Sequence, residues 1–163
     1  MKNFGFTLVE LMVVILIIGI LAAIGYPQYI RTMEVSKANN AVALVAMAGN
    51  ADRMYAVDHN GNYVQSGPIG NNCNLSSNFC GTSGVCDLVA CGYMASDDYS
   101  EKAYLLTVGQ CIPGNYCAAV ATASRNSTGA GDSTTTSPYK NWSYRVDSNG
   151  VVSANPGAPP PPQ

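Results

Sequence analysis

Glu10 is the residue with the clearest chemical consequence in this sequence, because it lies alone among apolar residues. From Phe6 to Ile30 it is the only charged side chain. An acidic residue at the centre of a membrane-spanning helix costs about 2.5–3.5 kcal/mol on insertion scales, and less near the end. A carboxylate near the start of the helix also complements the positive end of its dipole. A plain signal peptide or anchor gains nothing from the insertion cost, so the acid indicates a further role.

The cysteines are the second set of residues with chemical potential, and all of them follow the apolar segment. Their even number indicates disulfides formed in an oxidising compartment. A zinc site is the alternative, but four residues separate Cys86 from Cys91, and no second close pair or histidine cluster completes a tetrahedral set. The sequence does not choose among the possible pairings. The disulfide candidates are Cys73, Cys80, Cys86, Cys91, Cys111 and Cys117.

Catalytic chemistry has little support in the remaining residues. A nucleophile needs an adjacent base, and the single histidine, His59, lies beside a sequence typical of turns. The acidic pair Asp97 and Asp98 is more typical of a solvated turn than of a cation site. The sequence Asp58–Asn62 is likewise interpreted as a turn that ends a helix, since its glycine is misplaced for a calcium loop. We therefore expect no catalytic residue, cofactor or metal.

The apolar segment is the element that positions Glu10. The 25 residues from Phe6 to Ile30 would form a helix of roughly 37 Å at about 1.5 Å per residue. A hydrocarbon layer is about 30 Å thick, so this segment is long enough to span a membrane. The whole chain has 163 residues, a net charge of -2 and only 11% charged residues, so bulk charge does not favour a nucleic-acid partner.

Three interpretations of this segment are compatible with its apolar composition. It resembles a secretory signal peptide, with Ala23-Ile24-Gly25 as a cleavage site, and it resembles an uncleaved anchor. In the third interpretation the chain is cut after Gly5, and the freed amine of Phe6 begins the helix. When such subunits stack, the amine of one can lie near Glu10 of its neighbour. Only this interpretation gives the Glu10 carboxylate a partner. We expect Glu10 to acquire that partner only when subunits assemble.

The hexapeptide Gly5-Phe6-Thr7-Leu8-Val9-Glu10 resembles the type III leader junction of type IV prepilins and type II secretion pseudopilins. The resemblance covers roughly residues 1–60. It implies that a membrane peptidase cuts after Gly5 and methylates Phe6, and that Glu10 takes part in subunit recruitment. Helices of this family also melt locally in filaments. Three weak helix formers in this segment correspond to such a kink or unwound stretch: Gly19, Gly25 and Pro27.

The downstream sequence predicts an α+β fold. An apolar stripe of small residues continues the helix and allows a sheet to approach closely: Val35, Ala38, Val42, Val45 and Gly49. Charged residues, among them Asp52, are placed mainly off that stripe. About four antiparallel strands are predicted to pack on the helix: Ala103–Val108, Tyr116–Ala123, Trp142–Val146 and Val151–Ser153. This layout is similar to the ladle-shaped fold of pilins. Asp147-Ser148-Asn149-Gly150 is a hairpin turn.

These patterns divide the chain into six parts. We predict a leader (1–5), a transmembrane and filament-core half of the helix (6–30), an amphipathic half (31–57), a disulfide-stapled loop region (58–101), a sheet head (102–154) and a mobile proline-rich tail (155–163). The stretch Asn126–Ser137 is expected to be an exposed loop.

The resemblance implies a structural subunit of a type IV pilus-like filament, most similar to a type IVa or minor pilin, that serves adhesion, motility or related surface functions. A type II secretion pseudopilin and a DNA-uptake competence pilin are the alternatives. The expected partners are other copies or other pilins, the prepilin peptidase, the inner-membrane assembly machinery and the membrane, but not DNA. The expected location is the bacterial inner membrane for the single-pass precursor, then the extracellular filament.

Overall fold

A computed structural model describes residues 7–74, 80–100, 102–109, 119–126 and 138–162. The chain divides into two compact units, Met1–Ser36 and Lys37–Gln163. We call the second unit the head. The elements, in chain order, are α1 (Leu8–Asp58), β1 (Gly67–Ile69), a 3₁₀ turn (Asn71–Asn74), α2 (Asp87–Ala90), β2 (Tyr104–Val108), β3 (Ala121–Arg125), a second 3₁₀ turn (Tyr139–Asn141), β4 (Ser143–Val146) and β5 (Val152–Ala154).

The predicted α+β class is confirmed, but the sheet has five strands instead of about four. The strands follow in the order β1-β2-β3-β4-β5, and every neighbouring pair is antiparallel. Strand β1 was missed because it has only three residues and contains a proline, which sequence patterns exclude from central strands. As the first strand of the sheet it pairs on one side only, which a proline tolerates.

Strand β3 lies further along the chain than the predicted range Tyr116–Ala123. It runs from Ala121 to Arg125, and residues 116–118 lie outside the described residues. The cause is the inward position of Arg125, whose long side chain is buried with Ala121 and Ala123. A charged residue at a strand end is normally interpreted as the start of a loop. Asn126, expected in an exposed loop, is also buried, and its amide nitrogen donates to the Ser100 carbonyl.

The small residues of the helix stripe are buried in the head. Ala38, Val42 and Val45 are buried, and Val35, in the first unit, is half-buried. Gly49 has the closest neighbour, because a Cβ added there would lie 2.3 Å from Cγ1 of Val146 in β4. A side chain at this position would therefore push the helix and the sheet apart.

Asp52 was predicted to lie off the stripe, and this prediction is wrong. The residue is fully buried, with no exposed surface. Its two carboxylate oxygens accept hydrogen bonds from the backbone N–H groups of Val64, at 3.1 Å, and Gly109, at 3.2 Å. Charge predicts exposure only when no buried donors are available. Here one carboxylate connects the helix to the chain before β1 and to the end of β2.

Two disulfides cross-link the segment between α1 and β2. Cys73 is bonded to Cys86, and Cys80 is bonded to Cys91, so these four sulfurs are not available as zinc ligands. The predicted disulfide bonding is confirmed for them, whereas Cys111 and Cys117 lie outside the described residues. Between the cross-links, the buried carboxylate of Asp87 accepts from three successive residues: the Gly81 N–H at 3.1 Å, the Thr82 hydroxyl at 2.7 Å and the Ser83 N–H at 2.8 Å.

The proline-rich tail was predicted to be mobile, but it packs against the head. The hydroxyl of Tyr144 donates to the carbonyl of Pro159 at 3.3 Å. The N–H of Ala158 donates to the carbonyl of Asn155 at 3.1 Å. The predicted turn before β5 is confirmed, with Asp147 accepting from the N–H groups of Asn149 and Val151.

Candidate functional site

The candidate functional site is the start of α1, where Thr7 and Glu10 form a reciprocal cap. The N–H of Thr7 donates to Oε2 of Glu10 at 2.8 Å, and the Thr7 hydroxyl donates to the same oxygen at 2.6 Å. In return the N–H of Glu10 lies 3.3 Å from Oγ1 of Thr7. This is the capping box of a Thr-x-x-Glu sequence, which satisfies donors that have no partner within the helix.

The cap corrects the expectation that Glu10 finds a partner only on assembly. Two hydrogen bonds inside its own chain already stabilise the carboxylate at the helix start. Thr7 was not singled out in the sequence, although the spacing Thr-x-x-Glu before an apolar run is a known helix-start signal. The cap is built entirely from residues 7–10, so it does not depend on the packing of the head.

Beyond the cap, the first turns of α1 present a continuous apolar surface. Large apolar side chains from Leu8 to Tyr29 are exposed, for example Leu8 at 74% and Ile24 at 67%. The helix is long and apolar enough to cross a membrane, although core helices and signal sequences can meet the same criterion. Exposed apolar surface of this extent indicates contact with lipid or with other proteins.

The residues predicted to melt lie on this same surface. The structure assigns α-helix without interruption through Gly19, Gly25 and Pro27. A Cβ added at Gly19 or Gly25 would have no neighbour within 4 Å. Neither glycine is therefore required by packing inside this chain. The predicted melting concerns the assembled filament and stays a prediction.

Gly5 and Phe6, the predicted cleavage and methylation residues, lie outside the described residues. The sequence around them supplies the deciding comparison. Residues 1–26 match the prokaryotic N-terminal methylation motif. The motif ends one residue before Pro27 and includes Glu10, Gly19 and Gly25. It thus covers the capped and exposed part of α1 and none of the head.

Relatives with significant similarity each match a minority of this chain. Over 40 residues, or 24% of this chain, the sequence is 55% identical to the type IV major pilin protein PilA of Myxococcus xanthus (strain DK1622), of which it covers 18%. Over 59 residues, or 36% of this chain, it is 43% identical to the type II secretion system core protein G of Aeromonas hydrophila, covering 41% of that protein.

A third relative gives the same result. The type II secretion system core protein G of Escherichia coli (strain K12) is 41% identical over 58 residues, which are 36% of this chain and 40% of that protein. The chain therefore spans less than half the length of each of these relatives. No solved structure matches significantly. The likeness to the type IV pilin and to the type II secretion core proteins covers 24% to 36% of this chain.

The other residues considered for chemistry have structural partners. The ring of His59 stacks on Tyr55, with centroids 3.8 Å apart. Asp97 pairs with Lys102 at 2.7 Å, and Asp98 accepts from the N–H of Ser100 at 3.0 Å. Among the residues that the structure describes, no three histidine, cysteine or acidic side chains form a group that could hold a metal ion. The expectation that the chain is not an enzyme stays a prediction.

Proposed function

We propose that this chain is a structural subunit of a type IV pilus-like filament, processed between Gly5 and Phe6 and polymerised through the first half of α1. The observation on which the proposal rests is the methylation motif over residues 1–26. The exposed apolar surface of the same residues supports it, since the described part of the chain does not cover that surface. The relatives that match are a type IV major pilin and type II secretion core proteins, so we expect no enzymatic activity.

The capping box suggests that the Glu10 carboxylate has one partner before assembly and another partner after it. In the membrane, the Thr7 donors hold the Glu10 carboxylate at the helix start. In the filament, the methylated amine of Phe6 from a neighbouring subunit compensates the same carboxylate in an apolar environment. Exchange of a neutral donor for a cation strengthens the hydrogen bonding of the acid, since charge-assisted bonds are roughly twice as strong. The exchange would favour addition of a subunit.

The mature N-terminus is the measurement that tests the proposal. Mass spectrometry of the chain expressed with its own processing system should find a protein that begins at Phe6 with one added methyl group. A Gly5→Val variant should keep residues 1–5 and remain in the membrane. A mature chain that begins near Tyr26 would identify an ordinary signal peptide and would contradict the filament proposal.

A type II secretion pseudopilin is the second candidate. The matches to core protein G extend over 58 and 59 residues, compared with 40 for the pilin. A pilin and a pseudopilin would both be processed by the prepilin peptidase and assembled by machinery in the inner membrane, so processing does not distinguish them. Deletion of the gene separates them, because loss of surface filaments supports a pilin. Normal filaments with loss of protein secretion would support the pseudopilin.

A DNA-uptake role has weaker support. Downstream of α1 the basic residues are Lys102, Arg125, Lys140 and Arg145. Of these, Arg125 is buried, with its guanidinium over the Tyr104 ring at 5.3 Å, and Lys102 is paired with Asp97. Nonspecific DNA binding requires several phosphates to be neutralised at once. We therefore expect no salt-dependent DNA binding by the head.

A further inference from the structure

The outward face of strands β3 to β5 carries rows of hydroxyl groups around one arginine. Inward and outward residues alternate along each strand, so that Thr122 and Arg145 point away from the buried core. The register places Thr122 beside Arg145 and Arg145 beside Ser153. In the next row, Ser124 lies beside Ser143. The sheet therefore sets a guanidinium between hydroxyl groups on both neighbouring strands.

This face is concave where β4 and β5 meet the segment that follows them. The concavity has a volume of about 320 Å³ and is lined by Thr122, Ser124, Ser143, Arg145, Ser153 and Asn155, among others. Its size is at the lower end of the range for small-molecule sites, roughly 300–1,000 Å³. Its wall is fixed by Asn155, which accepts from the Ser143 N–H at 3.0 Å and donates an N–H to the Ser143 carbonyl at 3.0 Å.

Among the described residues that line this concavity, Arg145 is the only charged one. Its Nε donates to Oγ of Ser153 at 3.1 Å, which ties one nitrogen of the guanidinium to the neighbouring strand. Among the described residues, this is the hydrogen bond that Arg145 makes through its side chain, and its two terminal nitrogens donate to none of them. The nearest acid along the strand, Asp147, does not line the concavity and accepts from turn N–H groups instead. The concavity is thus positively charged.

We propose that this concavity binds an acidic saccharide, with the Arg145 guanidinium on the carboxylate and the hydroxyls of Ser124 and Ser153 on the sugar hydroxyls. A guanidinium holds a carboxylate through two parallel N–H donors, and Arg145 has two terminal nitrogens available for this. Serine and threonine hydroxyls both donate and accept, as do sugar hydroxyls. A nucleic-acid backbone fits less well, because it needs several cations in a row and the concavity has one.

The binding test uses the full chain in a detergent without a sugar headgroup. Isothermal titration with an oligogalacturonate should give saturable binding, and the neutral galactose oligomer of equal length should bind at least about tenfold more weakly. Arg145→Gln should weaken oligogalacturonate binding by about tenfold or more, since a hydrogen bond to a charged group is lost. Arg145→Lys should recover only part of the affinity, because lysine lacks the planar pair of donors.

Lys140→Gln is the matched control, because Lys140 is an exposed cation outside the lining. It should leave the affinity unchanged, and an equal loss there would contradict the proposal by indicating bulk charge. Inorganic phosphate that competes as strongly as the oligogalacturonate would also contradict it, since the site would then recognise charge alone. Absence of binding would contradict the proposal as well. Self-association of the chain that is abolished by Arg145→Gln would also contradict it, because a second copy of the chain would then be the occupant.

Discussion

The two halves of α1 follow opposite rules. Up to Ser36, the helix exposes nearly all of its large apolar side chains, and its glycines have no neighbours within 4 Å. From Lys37 onward the same helix buries small residues. A Cβ added at Gly49 would lie only 2.3 Å from Cγ1 of Val146. The apolar surface of the first half is therefore left exposed by the described part of the chain, whereas the second half is packed in the head.

Two carboxylates of the helix, Asp52 and Glu10, differ in the same way. Asp52 has two backbone donors from distant segments, so its position depends on the folded head. In the part of the chain that the structure describes, the donors to the Glu10 carboxylate come from Thr7, three residues away, and the Glu10 side chain is exposed. A change at Asp52 should therefore affect folding, whereas a change at Glu10 should affect assembly and leave the head intact.

The largest expected effect is on assembly, from substitutions at Glu10. Glu10→Gln retains an acceptor for the capping box, which glutamine also completes, but removes the charge. Glu10→Val removes both. If the acid compensates the amine of a neighbour, both variants should reduce filament yield, because an unpaired buried charge costs about 3–5 kcal/mol, or more than 100-fold per added subunit. Yield is measured by electron microscopy and by sedimentation of sheared filaments.

Thr7 supplies the matched control for the charge. Thr7→Val keeps the Glu10 carboxylate and removes the hydroxyl donor, so it should lower the yield far less than either Glu10 variant. A lost cap is worth about 1 kcal/mol. Filaments in normal amount from Glu10→Gln would show that the cap, not the charge, is what assembly needs. Unfolding of the head should be unchanged in all three variants.

The largest expected effect on folding lies at Gly109. Its φ is 72°, and a Cβ there would lie 2.3 Å from the carbonyl oxygen of Val64, which is backbone and cannot rotate away. Gly109→Ala should destabilise the head by about 4 kcal/mol, from the left-handed backbone and the overlap together. Gly61→Ala is the control, because Gly61 has a φ of 83° but no neighbour within 4 Å.

Denaturant unfolding measures both glycine variants. Gly61→Ala should cost only about 1–2 kcal/mol, the backbone part of the effect. Equal losses at the two positions would show that the approach of the chain before β1 to the end of β2 is looser than the structure indicates. Since neither variant touches the first half of α1, membrane insertion should not change.

The next effect is a pH dependence of the head that comes from Asp52. Burial raises the pKa of this carboxyl from its ordinary 3.8 to about 6, against the opposing hydrogen bonds from Val64 and Gly109. The folded state thus binds the proton more tightly than the unfolded state. The added stability is complete below pH 3.8 and is lost as the pH rises through 6. It amounts to roughly 3 kcal/mol at about 1.36 kcal/mol per pH unit.

Asp52→Asn isolates this contribution, because it keeps one acceptor oxygen and does not titrate. Denaturation curves of both proteins between pH 4 and 8 should differ by an amount that changes most between pH 4 and 6. Other acids titrate equally in the two proteins and cancel in the difference. A constant difference across this range would show that Asp52 does not take up a proton on acidification.

What the sequence predicted well is local, and what it missed is mostly non-local. The apolar segment, the helix end at Asp58 and the turn before β5 each depend on a few neighbouring residues. The burial of Asp52 depends on donors 12 and 57 residues away, and no pattern in the helix indicates it. Strand β1 exists because β2 offers it a free edge, although its own three residues have little strand character.

The start of α1 also depends on a few neighbouring residues. The Thr7–Glu10 cap is as local as the helix end, and its four-residue signature was present. The charge on Glu10 alone indicates a partner in assembly, whereas the spacing Thr-x-x-Glu indicates a partner inside the chain. The exposed hydroxyl rows beside Arg145 differ from this case, since only the register of three strands brings them together.

The smallest effect tests the comparison most directly, by placing one methyl group on each half of α1. Gly49→Ala gains about 1 kcal/mol of helix propensity but forces its Cβ against Val146, which costs about 1–3 kcal/mol. A net loss of about 1 kcal/mol in head unfolding is expected. Gly25→Ala meets no neighbour, so the same gain in propensity should appear with no loss of head stability. If Gly49→Ala instead stabilised the head, Val146 would have room to move aside. The second half of α1 would then be as open to new contacts as the first.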